Sequence, residues 1–422
     1  MNIGILGMGT VATGLMTLLS DNKEIIERKS ETEFQVTKVL VKDMNKKREV
    51  PLQQEVFTSK IEDIIDNEEI HLVVELIGGI HPAYEFVKKA LKNGKHVVTA
   101  NKALIATYGE ELEGIADENG VYLRYEASVA GGIPIINTLK NSVESNEIKE
   151  IIGIVNGTTN YILTQMSERG LEFEEALKEA QDLGFAEADP SSDIDGDDAM
   201  YKIAILSYVA FGQPMHVDKI CKEGITRISK EDIQYAKELG YTIKLVATAR
   251  KEDHHLEMMV YPALLPMKHP IALAQNEYNA VVIKGNGLDD IMLYGKGAGA
   301  LPTGSSVLND MIEIAKNLRD QKKVYNRVKT QDPLLVDNKG HRQYYIRLDV
   351  IDKPGVMGQL TKIFGEHGIG LVSVSQLKRS EMVAPLVFIT YETDQKMMKE
   401  VLCDIKKYSE VLKIASILAV ES

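Results

Sequence analysis

A chain of 422 residues, 44% hydrophobic and 26% charged, has the balance of a soluble globular protein and the length of two or three domains. Its net charge of −13 argues against nucleic acid and anionic membrane as partners, since both call for basic surface. The two cysteines, Cys221 and Cys403, are too far apart to form a metal or disulfide motif and suit a reducing compartment. No apolar run approaches the roughly 18 residues of a membrane helix. The chain also opens on a strand-like segment without a charged-then-apolar leader, so a cytoplasmic protein is expected.

In chain order, "NIGIL" (2–6) reads as a short buried strand that runs straight into "GMGTVATG" and a helical pattern over 11–19. "FQVTKVLVK" (34–42), "HLVVELIG" (71–78) and "KHVVTA" (95–100) read as three more strands, with "FVKKALKNG" as a helix ending at Gly94. This alternation predicts an α/β, Rossmann-type doubly wound parallel sheet over residues 1–130. The rhythm then changes. "EIIGIVNGTTNYILT" is a buried strand with a polar turn into a helix, followed by "FEEALKEAQDLG", an acidic run, and "DDAMYKIAILSYVAFG", a helix apolar nearly all round. An α+β catalytic and dimerisation domain is expected over 131–294, with residues 295–320, "GKGAGALPTGSS" and a following helix, returning to the first domain. The polar stretch 321–342 reads as a linker, and 343–422 has the βαββαβ pattern of a small separate domain.

In the first loop Gly7 makes the tight turn after the strand, Gly9 admits a pyrophosphate, and Ala12 takes the third fingerprint position. Dinucleotide binding is therefore expected at Gly7, Met8, Gly9, Thr10 and Val11. The second strand ends "VLVKD": Lys42 can pair with a 2′-phosphate, which favours NADP, while Asp43 keeps NAD open. A solvated strand-end charge is the other reading of Lys42. "GKGAGALPTGSS" lacks the Lys-Ser/Thr of a Walker loop, and Gly299 is left as a lining residue of the cofactor cleft.

The run "ADPSSDIDGDDAMYK" (188–202) partly fits a calcium loop, but that register puts Lys202 where a bidentate Glu is needed, so calcium is rejected. Asp198 and Lys202 lie four apart on one helix face. The apolar sequence after Lys202 makes that helix buried, and a lysine in its first buried turn must be paired.

"AQDLGFAEADPSSDIDGDDAMYK" (180–202), "GKHVVTANKALIA" (94–106), "YEASVAGGIPII" (125–136) and "GIVNGTTNYIL" (153–163) closely resemble the signatures of the homoserine dehydrogenases, over residues 1 to about 320. The tail resembles an ACT domain, a small amino-acid-sensing module. The resemblance implies NAD(P)-dependent interconversion of L-homoserine and L-aspartate 4-semialdehyde. It implies Lys202 as proton donor, with Asp198 binding substrate and orienting that amine. Lys102 would lie between nicotinamide and substrate, Glu187 would hold the substrate's α-ammonium, and Asp193 would assist. Thr158 either touches substrate or caps its helix, and Thr99 and Gly184 are further cofactor contacts. Glu126 and the backbone of Val129, Gly131 and Ile133 match a sodium site of the family. The resemblance further implies a homodimer or homotetramer, and L-threonine, with L-methionine second, as an effector at the turn holding Pro354 and Gly355; the other reading of the tail is an oligomerisation module alone. One departure is Thr390-Tyr391, where related tails often have Thr-His. The alternatives are another ACT-bearing dehydrogenase of a small hydroxy acid, or a catalytically silent amino-acid sensor. A silent relative would be free to lose Lys102, Glu187, Asp198 and Lys202, and all four are present.

Overall fold

The structure, a computed structural model, describes the chain except for residues 47, 49–51, 214–216, 327–332, 338–339, 377–382 and 422. Its first sheet is wholly parallel, built from β1 (Asn2–Leu6), β2 (Gln35–Leu40), β3 (Phe57–Thr58), β4 (Leu72–Glu75), β5 (His96–Thr99) and β6 (Leu123–Arg124), in the order β3-β2-β1-β4-β5-β6. Strands β1, β4 and β5 are apolar on both faces because helices cover both, which is why they read as continuous hydrophobic runs. The strand order reverses between β1 and β4, the crevice where open α/β sheets bind ligands. The helices Thr10–Asp21 and Ala300–Arg319 lie against each other closely enough that a Cβ on Gly14 would stand 2.0 Å from the Ala300 carbonyl oxygen, and one on Gly304 2.7 Å from the Leu15 nitrogen. The C-terminal half of the chain thereby closes the first layer.

The second sheet is built from β7 (Ile148–Ile154), β8 (Cys221–Lys222), β9 (Tyr241–Glu252), β10 (His255–Pro266), β11 (Tyr278–Gly285) and β12 (Asp290–Lys296), followed by β13 (Leu335–Val336), β14 (Gln343–Ile351), β15 (Leu371–Gln376), β16 (Val383–Thr390) and β17 (Val411–Val420). Its order is β12-β11-β7-β9-β10-β17-β14-β16-β15, with β8 and β13 also on β10. The helix Asp197–Phe211 packs on β9 and β10. Apart from Tyr201 and Ala210 its residues from Asp198 to Phe211 are buried, as its all-round apolar sequence requires.

The tail has the βαββαβ order, with helices Val356–Glu366 and Gln395–Lys407 covering one face of its sheet over a core that includes Leu348, Leu360, Phe364, Phe388 and Val401. It does not hang free. Strand β17 pairs in parallel with β10 through Ala263↔Ala419 and Leu264↔Val420, so the tail's sheet continues the catalytic one. The partly buried ion pair Arg250–Glu421 and the buried pair Arg347–Asp232 cross the junction. The polar segment read as a linker is held at both ends. Buried Asn326 donates to Asp117 Oδ1 and the Val121 carbonyl (both 2.8 Å), and β13 pairs with β10. Among the described residues no helix is long and apolar enough to cross a membrane.

Candidate active site

The glycine loop lies at the carboxyl end of β1. Gly7 has φ of +95°, and a Cβ there would stand 2.9 Å from the Leu76 carbonyl oxygen, so both conformation and space demand glycine. Gly9 precedes the Thr10–Asp21 helix and nothing lies within 4 Å of where its Cβ would be, leaving room for a ligand at the helix N-terminus. The neighbouring strand end is organised by a residue the sequence reading passed over. Glu75, fully buried, accepts the backbone N–H of Ile77 (2.8 Å) and Gly78 (3.2 Å) and the Thr99 hydroxyl (2.6 Å). An acid inside "HLVVELIG" was its signal. Thr99 is thus buried, with its hydroxyl turned to Glu75. Asn101 caps the next helix through Leu104 N–H (3.1 Å), which places Lys102 at that helix's first position.

Across the crevice stands the acidic segment. Asp198, 7% exposed, takes Lys102 Nζ on Oδ1 at 2.9 Å and Lys202 Nζ on Oδ2 at 2.7 Å. Lys202 also donates to the Val155 carbonyl at 2.7 Å. Burial pushes the Asp198 carboxyl up, but the charges of Lys202 and Lys102 outweigh it and hold the group well below the usual carboxylate range. Asp198 in turn raises Lys102 against its own burial. Burial, reinforced by the charge of Asp198, pushes Asp193 up.

Asn156, also missing from the sequence reading, ties these groups together. Its side-chain oxygen caps the Gly157–Arg169 helix at Thr159 N–H, and its amide donates to Asp193 (2.6 Å) and Asp198 (2.8 Å). In "NGTTN" the capping pattern was legible, but the second use of the same side chain depends on a segment 37 residues away. Thr158 donates its hydroxyl to the Phe185 carbonyl (2.7 Å), which fixes the 183–185 turn.

These groups line one cavity of about 720 Å³. Val11, Lys102, Thr158, Gly184, Asp193, Asp198, Lys202 and Gly299 all border it. Glu187 is exposed and outside this lining, but near enough to raise Lys102 by its charge. Lys42 is exposed, two residues beyond the end of β2. Glu126 is buried apart from the cavity and accepts the N–H groups of Ile136 (2.8 Å) and Asn137 (2.7 Å).

A glycine loop at the switch point, facing a lysine–aspartate–lysine triad, provides for a dinucleotide and for a proton at one cleft. Comparison with known proteins agrees. The profile "Homoserine dehydrogenase, NAD binding domain" matches residues 7–126, "Homoserine dehydrogenase" matches 134–312 and "ACT domain" matches 344–410. The homoserine dehydrogenase of Bacillus subtilis (strain 168) is 40% identical over 99% of this chain and 98% of its own. The crystal structure of a homoserine dehydrogenase from Thiobacillus denitrificans superposes with a TM-score of 0.94 at 37% identity, covering 100% of this chain and 98% of that one. A hyperthermophilic archaeal homoserine dehydrogenase in complex with NADPH is 31% identical with a TM-score of 0.64, and covers 78% of this chain and 99% of its own. The chain belongs to the homoserine dehydrogenase family and is an NAD(P)-dependent oxidoreductase with an ACT domain.

Proposed function

We propose that Lys202 is the proton donor of this dehydrogenase, acting on L-homoserine and L-aspartate 4-semialdehyde in a site shaped by Asp198, Lys102, Asp193 and Glu187. The observation that supports it is the set of partners of Lys202. An ammonium has three N–H bonds, and the fold engages two of them, with Val155 and Asp198. The third is available to a carbonyl oxygen in the cavity. The glycine loop would hold the pyrophosphate of the dinucleotide, whose nicotinamide would supply or accept the hydride. Lys202 gives its proton to the carbonyl oxygen of the aldehyde and stabilises the charge that develops there. Asp198 keeps that amine in place, and Glu187 and Asp193 hold the substrate's ammonium. Lys102, 39% exposed at the strand end, faces both cofactor and substrate. The test is a steady-state assay of homoserine oxidation; no activity with either NAD or NADP sinks the reading.

NADP is the favoured cofactor, because Lys42 is an exposed cation beyond β2 and the Asp43 carboxylate is engaged by Asn45 N–H at 2.8 Å. Gly7, Met8, Gly9, Thr10 and Val11 cradle the dinucleotide, with Gly184 and Gly299 around it, while Thr99, fully buried on Glu75, supports the strand end from beneath. Lys42→Ala is expected to raise KM for NADP and leave that for NAD unchanged; equal effects would leave Lys42 only a general electrostatic role.

The residues around Glu126 fit a monovalent cation in charge. Burial pushes this carboxyl up to about 7, against the opposing N–H groups of Ile136 and Asn137 and the charge of Lys140. Sodium would be held by Glu126 and the carbonyls of Val129, Gly131 and Ile133. Replacing choline by sodium at constant ionic strength should then raise Tm, and no change would remove the ion. L-threonine is the proposed effector, its carboxylate at the Pro354–Gly355 turn that opens the Val356–Glu366 helix. A homodimer or homotetramer in the cytoplasm completes the reading. Millimolar threonine that neither inhibits nor shifts Tm, and a monomer by light scattering, are the outcomes against these two points.

A further inference from the structure

The cavity of about 720 Å³ carries more charge than the proton transfer uses. Three lysines line it, Lys102, Lys202 and Lys296. Lys102 and Lys202 share the Asp198 carboxylate, at 2.9 and 2.7 Å, and so stand together at the reacting end. Lys296 comes from a different wall. It is the last residue of β12, and its Nζ meets Glu277 Oε1 at 3.2 Å. Glu277 also lines the cavity and directly precedes β11. With side chains 49% and 27% exposed, the two ions are weakly held to each other and free to exchange partners with a ligand.

The hairpin nevertheless fixes where this ammonium stands. Lys296 is paired with Tyr278 across β11 and β12, and its Nζ lies 5.7 Å from the centre of the Tyr278 ring. That ring stacks on Tyr294, with centroids 5.1 Å apart and planes at 4°. The same wall abuts the Gly157–Arg169 helix, since a Cβ on Gly157 would stand 2.9 Å from the Glu277 carbonyl oxygen. The Asn156 side chain is spent on Thr159 N–H. Among the described residues the N–H groups of Gly157 and Thr158 have no hydrogen-bonding partner. A cation beside unpaired N–H groups at a helix start suits a carboxylate.

L-Homoserine brings one. In the proposed site its ammonium goes to Glu187 and Asp193 and its reacting oxygen to Lys202, while the α-carboxylate lies at the other end of the carbon chain. A carboxylate that leaves water without a cation or N–H partner weakens binding. Lys102, tied to the same Asp198 as Lys202, stands at the wrong end to supply it. We propose that Lys296 is the specificity-determining residue that binds the substrate's α-carboxylate, together with the N–H groups of Gly157 and Thr158. Glu277 holds Lys296 in the empty site and yields it to the substrate. The inference rests on the reading of homoserine as the substrate.

The test is steady-state kinetics of the full chain at saturating dinucleotide. The carboxylate is present equally in ground and transition states. Lys296→Met should therefore raise KM for homoserine about tenfold or more while kcat stays within about threefold. KM for the dinucleotide should not move. Lys296→Arg should keep most of the affinity. Glu277→Gln, which removes a competitor for the ammonium, should lower KM for homoserine about twofold. Two competitive probes report on the carboxylate itself: L-2-aminobutyrate, and its amide, which keeps the ammonium but lacks the negative charge. The acid should inhibit the wild type more tightly than the amide, and Lys296→Met should erase that preference. An unchanged homoserine KM in Lys296→Met, an acid preference that survives it, or a parallel rise in KM for the dinucleotide overturns the assignment. A raised homoserine KM in Glu277→Gln would make the ion pair purely structural and overturns it too. A wild type inactive on homoserine defeats the substrate reading and takes this inference with it, whereas an active wild type with an indifferent Lys296→Met defeats this inference alone.

Discussion

The proposed role of Lys202 rests on the fold satisfying it incompletely: two of its donors are fixed, by Val155 and Asp198, and a third is left for a substrate. Lys202→Ala should lower kcat about 10²–10⁴-fold with cofactor binding nearly intact, because the loss belongs to the transition state. Arginine should not restore it, since its pKa is too high for proton transfer near neutrality. Near-normal kcat in Lys202→Ala would sink the assignment. The two aspartates should separate by pH. Asp198, held low by its lysines, stays ionised over the working range. Its stabilising contribution is complete above the unfolded value of about 4 and is lost only as pH falls below it. Asp193, pushed up by burial and by Asp198, takes its proton earlier as pH falls. The acid limb of kcat/KM should therefore move in Asp193→Asn, whereas Asp198→Asn should lower kcat/KM at every pH. An unmoved limb in Asp193→Asn would assign it elsewhere. The Asp198–Lys202 pairing was legible from a spacing of four in a buried helix. Asn156 was not, because a side chain serving both as a cap and as a clamp on a distant segment looks locally like a cap alone.

Among the elements, the packing of helix Thr10–Asp21 on helix Ala300–Arg319 decides how the cofactor crevice is closed. Gly14 and Gly304 meet the opposing backbone at distances no Cβ tolerates. Gly14→Ala should force the helices apart, at a cost of about 1–3 kcal/mol typical of overpacking. A lower Tm and a higher KM for the dinucleotide should appear together, because Val11 and Gly299 line the cavity from these two helices' N-terminal ends. Unchanged Tm and KM would mean that the close approach is dispensable. The loop glycines could be read from their spacing after a strand; Gly14 could not, since what it touches comes from the far end of the catalytic region. Strands β3 and β6 escaped for a simpler reason, as two residues are too few to show any period.

For the whole molecule, the tail is part of one continuous sheet. Its βαββαβ pattern is local and could be read; the pairing of Leu264 with Val420 is not local, and no pattern within either segment announces it. The consequence is energetic. Glu421 is buried against Arg250 and accepts the Tyr261 hydroxyl, and Asp232 is buried against Arg347 at 2.8 Å. Removing residues 343–422 would strand Asp232 as a buried charge, a loss of about 3–5 kcal/mol when a buried pair is broken, whereas Arg250 would keep its ion pair with Glu150 at 2.7 Å. It would also bare the β10 edge at Ala263–Leu264. The archaeal relative, matched over 78% of this chain, argues that a shorter body can fold when its own surface is adapted to that length. Here the body is adapted to its tail. The truncated chain should melt well below the full one. Asp232→Asn, which removes the stranded charge, should recover part of the loss in the truncated chain while destabilising the full one. Calorimetry of the four proteins, full and truncated with and without the substitution, decides it: equal Tm for the truncated and full chains would make the tail an independent attachment, and opposite signs for Asp232→Asn in the two would make it structural to the catalytic sheet.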